Sequence, residues 1–166
     1  NHPQGIELAI PDKKAIAVFG VKLIHDLFGI TPSLRKVKGE HCWKLSASSM
    51  ILRQYLKEND LAKDYSWNIH VPRKILSSPP SVQMAFVAGF FDGDGDNGKN
   101  YRIASSSKQF IQQLQLLLLA NGIGSKILSE KRRKEWRRLY RLSVIGKIFT
   151  EKFYKKTSRY SWKIQQ

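Results

Sequence analysis

Val82-Gln83-Met84-Ala85-Phe86-Val87-Ala88-Gly89-Phe90-Phe91-Asp92-Gly93-Asp94-Gly95-Asp96 is an apolar run of helical length that ends in glycine-spaced carboxylates. Two prolines, Pro79 and Pro80, punctuate its start, and Ser81 is placed to cap the first turn. Small Ala88 and Gly89 near the end of the run let a second backbone approach closely. Carboxylates at a helix C-terminus face the negative end of the dipole, where they are disfavoured. A divalent cation would relieve that conflict, because hard cations take oxygen ligands of this kind. The competing reading is an Asp-Gly turn with solvated acids. A calcium loop of the EF-hand type would need a closing glutamate, which this stretch lacks.

On either side of this run the chain repeats itself. Downstream, a strand near residues 103–107 leads into a helix over 108–121, where Phe110, Ile111, Leu114, Leu117 and Leu118 recur at helical spacing before Gly122. A strand at 123–128, a charged turn, a strand at 139–144 and another helix follow. Upstream, a strand at 6–10 precedes a helix that Asp12 caps and Gly29 stops. Strands at 30–37 and 42–46 come next, then a helix from Ser48 to about Asn59. The tails agree in letters, Tyr65-Ser66-Trp67-Asn68-Ile69 against Tyr160-Ser161-Trp162-Lys163-Ile164. This order predicts two pseudo-symmetric halves of mixed α and β structure, residues 1–70 and 81–166. Residues 71–80, with three prolines and a serine pair, read as the linker.

Composition narrows the partner. The 166 residues carry 29 Lys and Arg against 13 Asp and Glu, a net charge of +16. A charge of that size suits a polyanion, so nucleic acid is the first partner to consider. Residues 126–166 alone hold 14 Lys or Arg and three acids. Basic side chains on a hairpin between Ile127 and Val144 suit a β-ribbon in a DNA groove, with a solvated loop as the alternative. One cysteine, Cys42, excludes a disulfide framework and a cysteine-built zinc site. No apolar run reaches the roughly 18 residues that span a bilayer, so no membrane partner is expected, and an intracellular setting is. The N-terminus reads as an internal cut rather than a signal peptide.

Val87-Ala88-Gly89-Phe90-Phe91-Asp92-Gly93-Asp94-Gly95 resembles, position by position, the LAGLIDADG motif of homing endonucleases. The flanks resemble the family too: "VPRKILSSPP" looks like the lead-in to the second motif of intein-encoded members, and "LLLLANGIGSKI" like the helix that follows. The resemblance implies an α/β (α+β) fold of two halves, each a curved antiparallel sheet backed by helices, with motif helices at the centre and the sheets forming a saddle over DNA. It implies a sequence-specific, metal-dependent double-stranded DNA endonuclease using Mg2+, with Ca2+ or Mn2+ as substitutes. By position, Asp94 would be the catalytic, metal-binding acid, and Asp92 would support the helix end. Ala88 and Gly89 would make the helix–helix contact. Lys163 would be the basic residue beside the scissile phosphate, with Asn68 its repeat mate; Lys44 and Arg141, paired on the last strand of each half, are rival candidates for phosphate or base contact. The DNA-contacting set is expected among Arg35, Lys36, Lys44, Lys126, Arg132, Arg133, Arg137, Arg138 and Arg141.

The chain departs from the family in holding one motif rather than two. The simplest account is a two-repeat enzyme whose first motif helix and strand, about 30 residues at ordinary element lengths, precede Asn1. A complementary N-terminal fragment is then an expected partner. The alternative is a non-cleaving DNA- or RNA-binding relative, degenerate or maturase-like. The chain lacks a nucleophile at its first residue and a His-Asn pair at its end, so it does not splice by itself, although an intein or intron origin is expected.

Overall fold

A computed structural model of the chain describes residues 5–11, 13–39, 41–62, 65–98, 100–131, 133 and 136–164. Asp12, the expected cap of the first long helix, lies outside them. The chain divides into two units, Asn1–Ala62 and Lys63–Gln166.

In the first unit, β1 (Gly5–Ile10) is followed by α1 (Lys13–Ala15), a π-helical stretch (Ile16–Val21) and α2 (Lys22–Phe28). Gly29 then adopts φ 64°, a left-handed conformation that costs glycine nothing, and its N–H closes the helix on His25 O. Next come β2 (Ser33–Lys36), β3 (Trp43–Ser48) and α3 (Met50–Glu58). β3 runs two residues further than the sequence suggests, so Ser49 rather than Ser48 caps α3, accepting from Leu52 N at 3.3 Å. The sheet is antiparallel in the order β1-β3-β2. Ile16, Ile24, Leu45, Ala47 and Leu52 form its buried core.

The second unit comprises α4 (Arg73–Leu76), α5 (Pro80–Asp94), β4 (Gly95–Asp96), β5 (Arg102–Ser105), α6 (Lys108–Ala120), β6 (Ser125–Glu130), β7 (Leu139–Val144) and α7 (Lys147–Thr157). Its sheet runs β4-β5-β7-β6, again antiparallel. Leaving out the two-residue β4, the order first-third-second matches that of the first unit. The register repeats as well: Lys44 pairs with Ala9, and Arg141 with Ala104. Helix α6 ends as α2 does, with Gly122 at φ 72°. Met84, Val87 and Phe91 of α5 pack with Ile103, Phe110, Leu114, Leu118, Leu142 and Phe153. Each large side chain so buried contributes about 1.5–3 kcal/mol.

Three expectations are corrected at element ends. Helix α5 begins at Pro80 with Pro79 at the cap, so Ser81 lies inside it. Proline suits that place because its fixed φ is already helical and its missing N–H would be unpaired anyway. Residues 71–80, expected as a linker, contain α4, and their first two residues, Val71 and Pro72, are buried. Val71 is fully buried, and its N–H donates to Gln113 Oε1 at 2.8 Å. The tail 65–69, expected with the first half, belongs to the second unit, where Ser107 Oγ donates to Ile69 O at 2.7 Å.

Candidate functional site

Helix α5 stops where the sequence needs it to. A Cβ at Gly95 would stand 2.4–2.5 Å from the Phe91 ring and carbonyl, so only glycine lets the chain turn there into β4. Asp94, the last helical residue, is exposed, and among the described residues no hydrogen bond or ion pair holds its carboxylate. Asp92 behaves differently. Its Oδ1 accepts from Ser161 Oγ and from Lys163 N at 3.2 Å, and its Oδ2 accepts from Trp162 N at 3.3 Å. Burial pushes the Asp92 carboxyl above its ordinary value, and these hydrogen bonds oppose the shift. Asp92 therefore caps the tail turn that follows Tyr160 rather than its own helix.

That turn brings Lys163 to the end of α5. Its Nζ donates to Gly95 O at 3.0 Å and to Phe91 O at 3.4 Å, and lies 6.0 Å from the Phe91 ring centroid. An ammonium fits there because two main-chain carbonyls and the negative end of the helix dipole face it, although Phe91 O also accepts from Gly95 N. Two of its three N–H groups are used, which leaves one for a ligand.

Three neighbours escape the sequence reading. Asp96 pairs with Arg102 and accepts from Gly98 N at 3.0 Å; the Gly98 amide, then Arg102, hold its carboxyl below the usual range. Asn97 Nδ2 donates to Lys163 O at 3.4 Å. Ser161 is fully buried beneath this assembly. The repeated Tyr-Ser-Trp tail was the available signal for Ser161; the other two sit beside the motif without a spacing that marks them.

Ala88 and Gly89, expected together at one helix contact, part company. Ala88 is fully buried on the side of Met84, Val87 and Phe91, whereas Gly89 is exposed and a Cβ there would meet nothing within 4 Å. Residues one apart on a helix differ by about 100°, so here the two point to different sides of α5.

The basic residues are distributed otherwise than a charged ribbon requires. Arg35 and Lys44 lie on the exposed face of the first sheet, but both face Glu7, at 3.9 and 2.7 Å. Lys126 and Arg141 lie on the exposed face of the second sheet, with Arg141 paired to Glu130 at 3.1 Å. Lys36 is exposed at the end of β2. Arg133, Arg137 and Arg138 are not on strands: β6 ends at Glu130 and β7 begins at Leu139, so they occupy the loop between. Consecutive cations cannot alternate into the apolar face of a ladder, which explains the break. Arg137 stacks over the Trp67 ring at 4.1 Å, and Trp67 on Tyr65 at 4.4 Å. Arg132 lies outside the described residues. No helix is long and apolar enough to cross a membrane among the described residues.

Residues 81–157 match a family described as the LAGLIDADG-like domain. Among solved structures, the chain is similar to the homing endonuclease I-DmoI in complex with DNA and Mn, at 19% identity and TM-score 0.64, over 85% of this chain and 73% of that one. It is similar to a mesophilic variant of I-DmoI at 18% identity and TM-score 0.70, over 92% and 78%. A further I-DmoI structure holds DNA and Ca, at 20% identity, TM-score 0.67 and coverage of 91% and 73%. The chain shares the fold of these I-DmoI structures. Curated relatives include a probable translation initiation factor IF-2 of Methanocaldococcus jannaschii, 37% identical over 87 residues, which are 49% of this chain and 8% of that protein. A DNA polymerase of Thermococcus hydrothermalis is 33% identical over 108 residues, 64% of this chain and 6% of that protein. The chain thus spans less than a tenth of the curated relatives it matches.

Proposed function

We propose that this chain, whose residues 81–157 match the LAGLIDADG-like domain, binds double-stranded DNA and takes part in its site-specific, metal-dependent hydrolysis. The observation that carries this reading is that α5 ends on Asp94, whose carboxylate is unpaired among the described residues, and that Lys163 is anchored on the next residue, Gly95. The net charge of +16 supports a phosphate-rich partner, and the I-DmoI structures of the same fold hold DNA with Mn or Ca.

Asp94 fits a hard divalent cation as one oxygen ligand, since nothing else among the described residues engages it. Among the described residues no three His, Cys, Asp or Glu side chains gather as a metal cluster, so phosphate, water or a second carboxylate would complete the shell. Such an ion, when bound, lowers the pKa of water and steadies a leaving oxygen. The chain's own groups do the rest. Lys163 offers its third N–H to a phosphate oxygen, and Asp92 holds the turn that carries Lys163. The exposed, apolar stripe of Val82, Gly89 and Gly93 is open to a second helix, which a complementary fragment with its own carboxylate would supply.

The relatives support an origin as a mobile insert. One short segment recurs within an initiation factor and within DNA polymerases, proteins with no common task. An intein-encoded endonuclease explains that recurrence.

The test is binding and cleavage of a randomised duplex pool by the full chain, in Mg2+ and in Ca2+, with and without an added fragment bearing a second motif helix. Salt-dependent duplex binding and Mg2+-dependent cuts at selected sites are expected. Absence of duplex affinity at low salt would overturn the reading, and binding with no cuts under any condition would leave the non-cleaving relative.

A further inference from the structure

The tail turn that delivers Lys163 is held from beneath by one buried hydroxyl. Ser161 Oγ donates to Asp92 Oδ1 and accepts from Ile164 N at 3.0 Å, so a single group spans from α5 to the far side of the turn. The amides of Trp162 and Lys163, between those two contacts, both point at the same carboxylate. Trp162 adds its ring 5.8 Å from Lys163 Nζ. The lysine itself is a long, flexible side chain whose rotamer freedom is costly to remove. Fixing the main chain on both sides of it limits where Nζ can reach. The serine also recurs, as Ser66, two residues before Asn68 in the repeated tail.

From these contacts we propose that Ser161 is the positioning residue for Lys163, setting its ammonium against Gly95 O and Phe91 O beside Asp94. The proposal rests on the reading of this helix end as the DNA-cleaving site. Without the hydroxyl, Asp92 still faces two amides, but Ile164 N loses its acceptor and the turn loses one of its three hydrogen bonds to Asp92 of α5. The ammonium then samples solvent, and its contribution to phosphate binding at the reacting centre falls.

Amine reactivity tests this on the free full chain, without DNA. Trace acetylation followed by peptide mass spectrometry gives the relative rate at each lysine, with exposed Lys155 and Lys156 of α7 as internal references. Lys163 is expected to react more slowly than either. Ser161→Ala is expected to raise its rate roughly tenfold, and Ser161→Thr, which keeps the hydroxyl, to stay nearer the parent. An unchanged Lys163 rate in Ser161→Ala, or equal rates in the alanine and threonine variants, would overturn the proposal. If Ser161→Ala lowers the melting temperature strongly, the comparison moves to Ser161→Cys, a weak donor of similar volume, expected to lie between. In cleavage, Ser161→Ala should lower kcat with little change in KM, and should add no loss in a Lys163→Met background. An additive loss there would overturn the positioning role. Raised Lys163 reactivity in a protein that never cuts DNA would instead overturn the cleavage reading and leave the anchoring standing.

Discussion

Lys163 Nζ sits 3.0 Å from Gly95 O, so the penultimate turn of the described chain closes onto the residue that follows the motif helix. The two are 68 residues apart, and what joins them is the carboxylate of Asp92 beneath. Lys163→Met keeps much of the side chain's apolar stem and removes the charge. It should lower cleavage by roughly a hundredfold, the scale of a lost electrostatic contact to a developing anion. Duplex affinity measured in Ca2+ should change by much less. Equal losses in binding and in cleavage would mean that Lys163 is a phosphate contact away from the reacting centre.

Binding should weaken steeply with salt, with log affinity falling by about 0.9 per phosphate contact for each unit of log salt. The exposed sheet faces contribute little net charge, because Glu7 stands against Arg35 and Lys44, and Glu130 against Arg141. The loop of Arg133, Arg137 and Arg138 carries its cations without an ion pair to an acid among the described residues. Arg137→Ala with Arg138→Ala should therefore lower affinity and flatten the slope by about two contacts. Arg35→Ala should have a smaller effect, and a salt titration of both variants compares them directly.

The motif helix, the paired order of strands and helices, and the glycine stops at Gly29 and Gly122 were legible because each is a local pattern of period or punctuation. The repeat was legible because both sheets use the same order and nearly the same register, with Leu45 and Leu142 at matching core positions. The latch of Asp92 on Ser161 was not. It joins residues 69 apart through a hydroxyl and a carboxylate that mark no periodicity. The different fates of Ala88 and Gly89 were hidden for a related reason: small residues identify a close approach, but only the packed helix fixes which side approaches what. The placement of Arg137 over Trp67 depends on a loop whose path no run of like charges specifies.

Glu7 gives the first unit a pH-dependent contact. The Lys44 hydrogen bond, ahead of the smaller influences of Ser46 and Arg35, holds its carboxyl below the ordinary value of 4.5. A carboxylate with a lowered folded-state pKa stabilises above its unfolded value, and the gain disappears as pH falls through the folded value. Glu7→Gln should thus lower the melting temperature of the first unit slightly at pH 7. The gap should close as the pH drops below 4.5. Because Glu7 is solvent-accessible, high salt should shrink the gap as well.

Each unit has a core of its own, which makes destabilisation local. Phe91→Ala should cost about 3–5 kcal/mol in the second unit, and Leu45→Ala about 2–5 kcal/mol in the first. Hydrogen exchange read by peptide should report faster exchange in the unit that was changed. Uniform loss of protection over residues 5–164 from either substitution would show that the two cores unfold together.

Asp94→Asn and Asp92→Asn separate chemistry from architecture within one short motif. Asp94 is exposed and unengaged among the described residues, so replacing it should leave the melting temperature within about a degree, as for most surface positions. It should abolish Mg2+-dependent cleavage while duplex affinity holds or rises slightly. The cause is electrostatic: the carboxylate recruits a cation, yet without one it repels the phosphate. Asp92→Asn should act through the architecture instead. The amide cannot accept from Ser161, Trp162 and Lys163 as a carboxylate does, so stability should fall by about 1–3 kcal/mol and the tail should exchange faster. Both variants are compared by calorimetry and by duplex binding in Ca2+, which supports binding through looser coordination. Cleavage at the parent rate by Asp94→Asn in Mg2+ would remove Asp94 from the reaction, and the motif would then describe only how α5 packs.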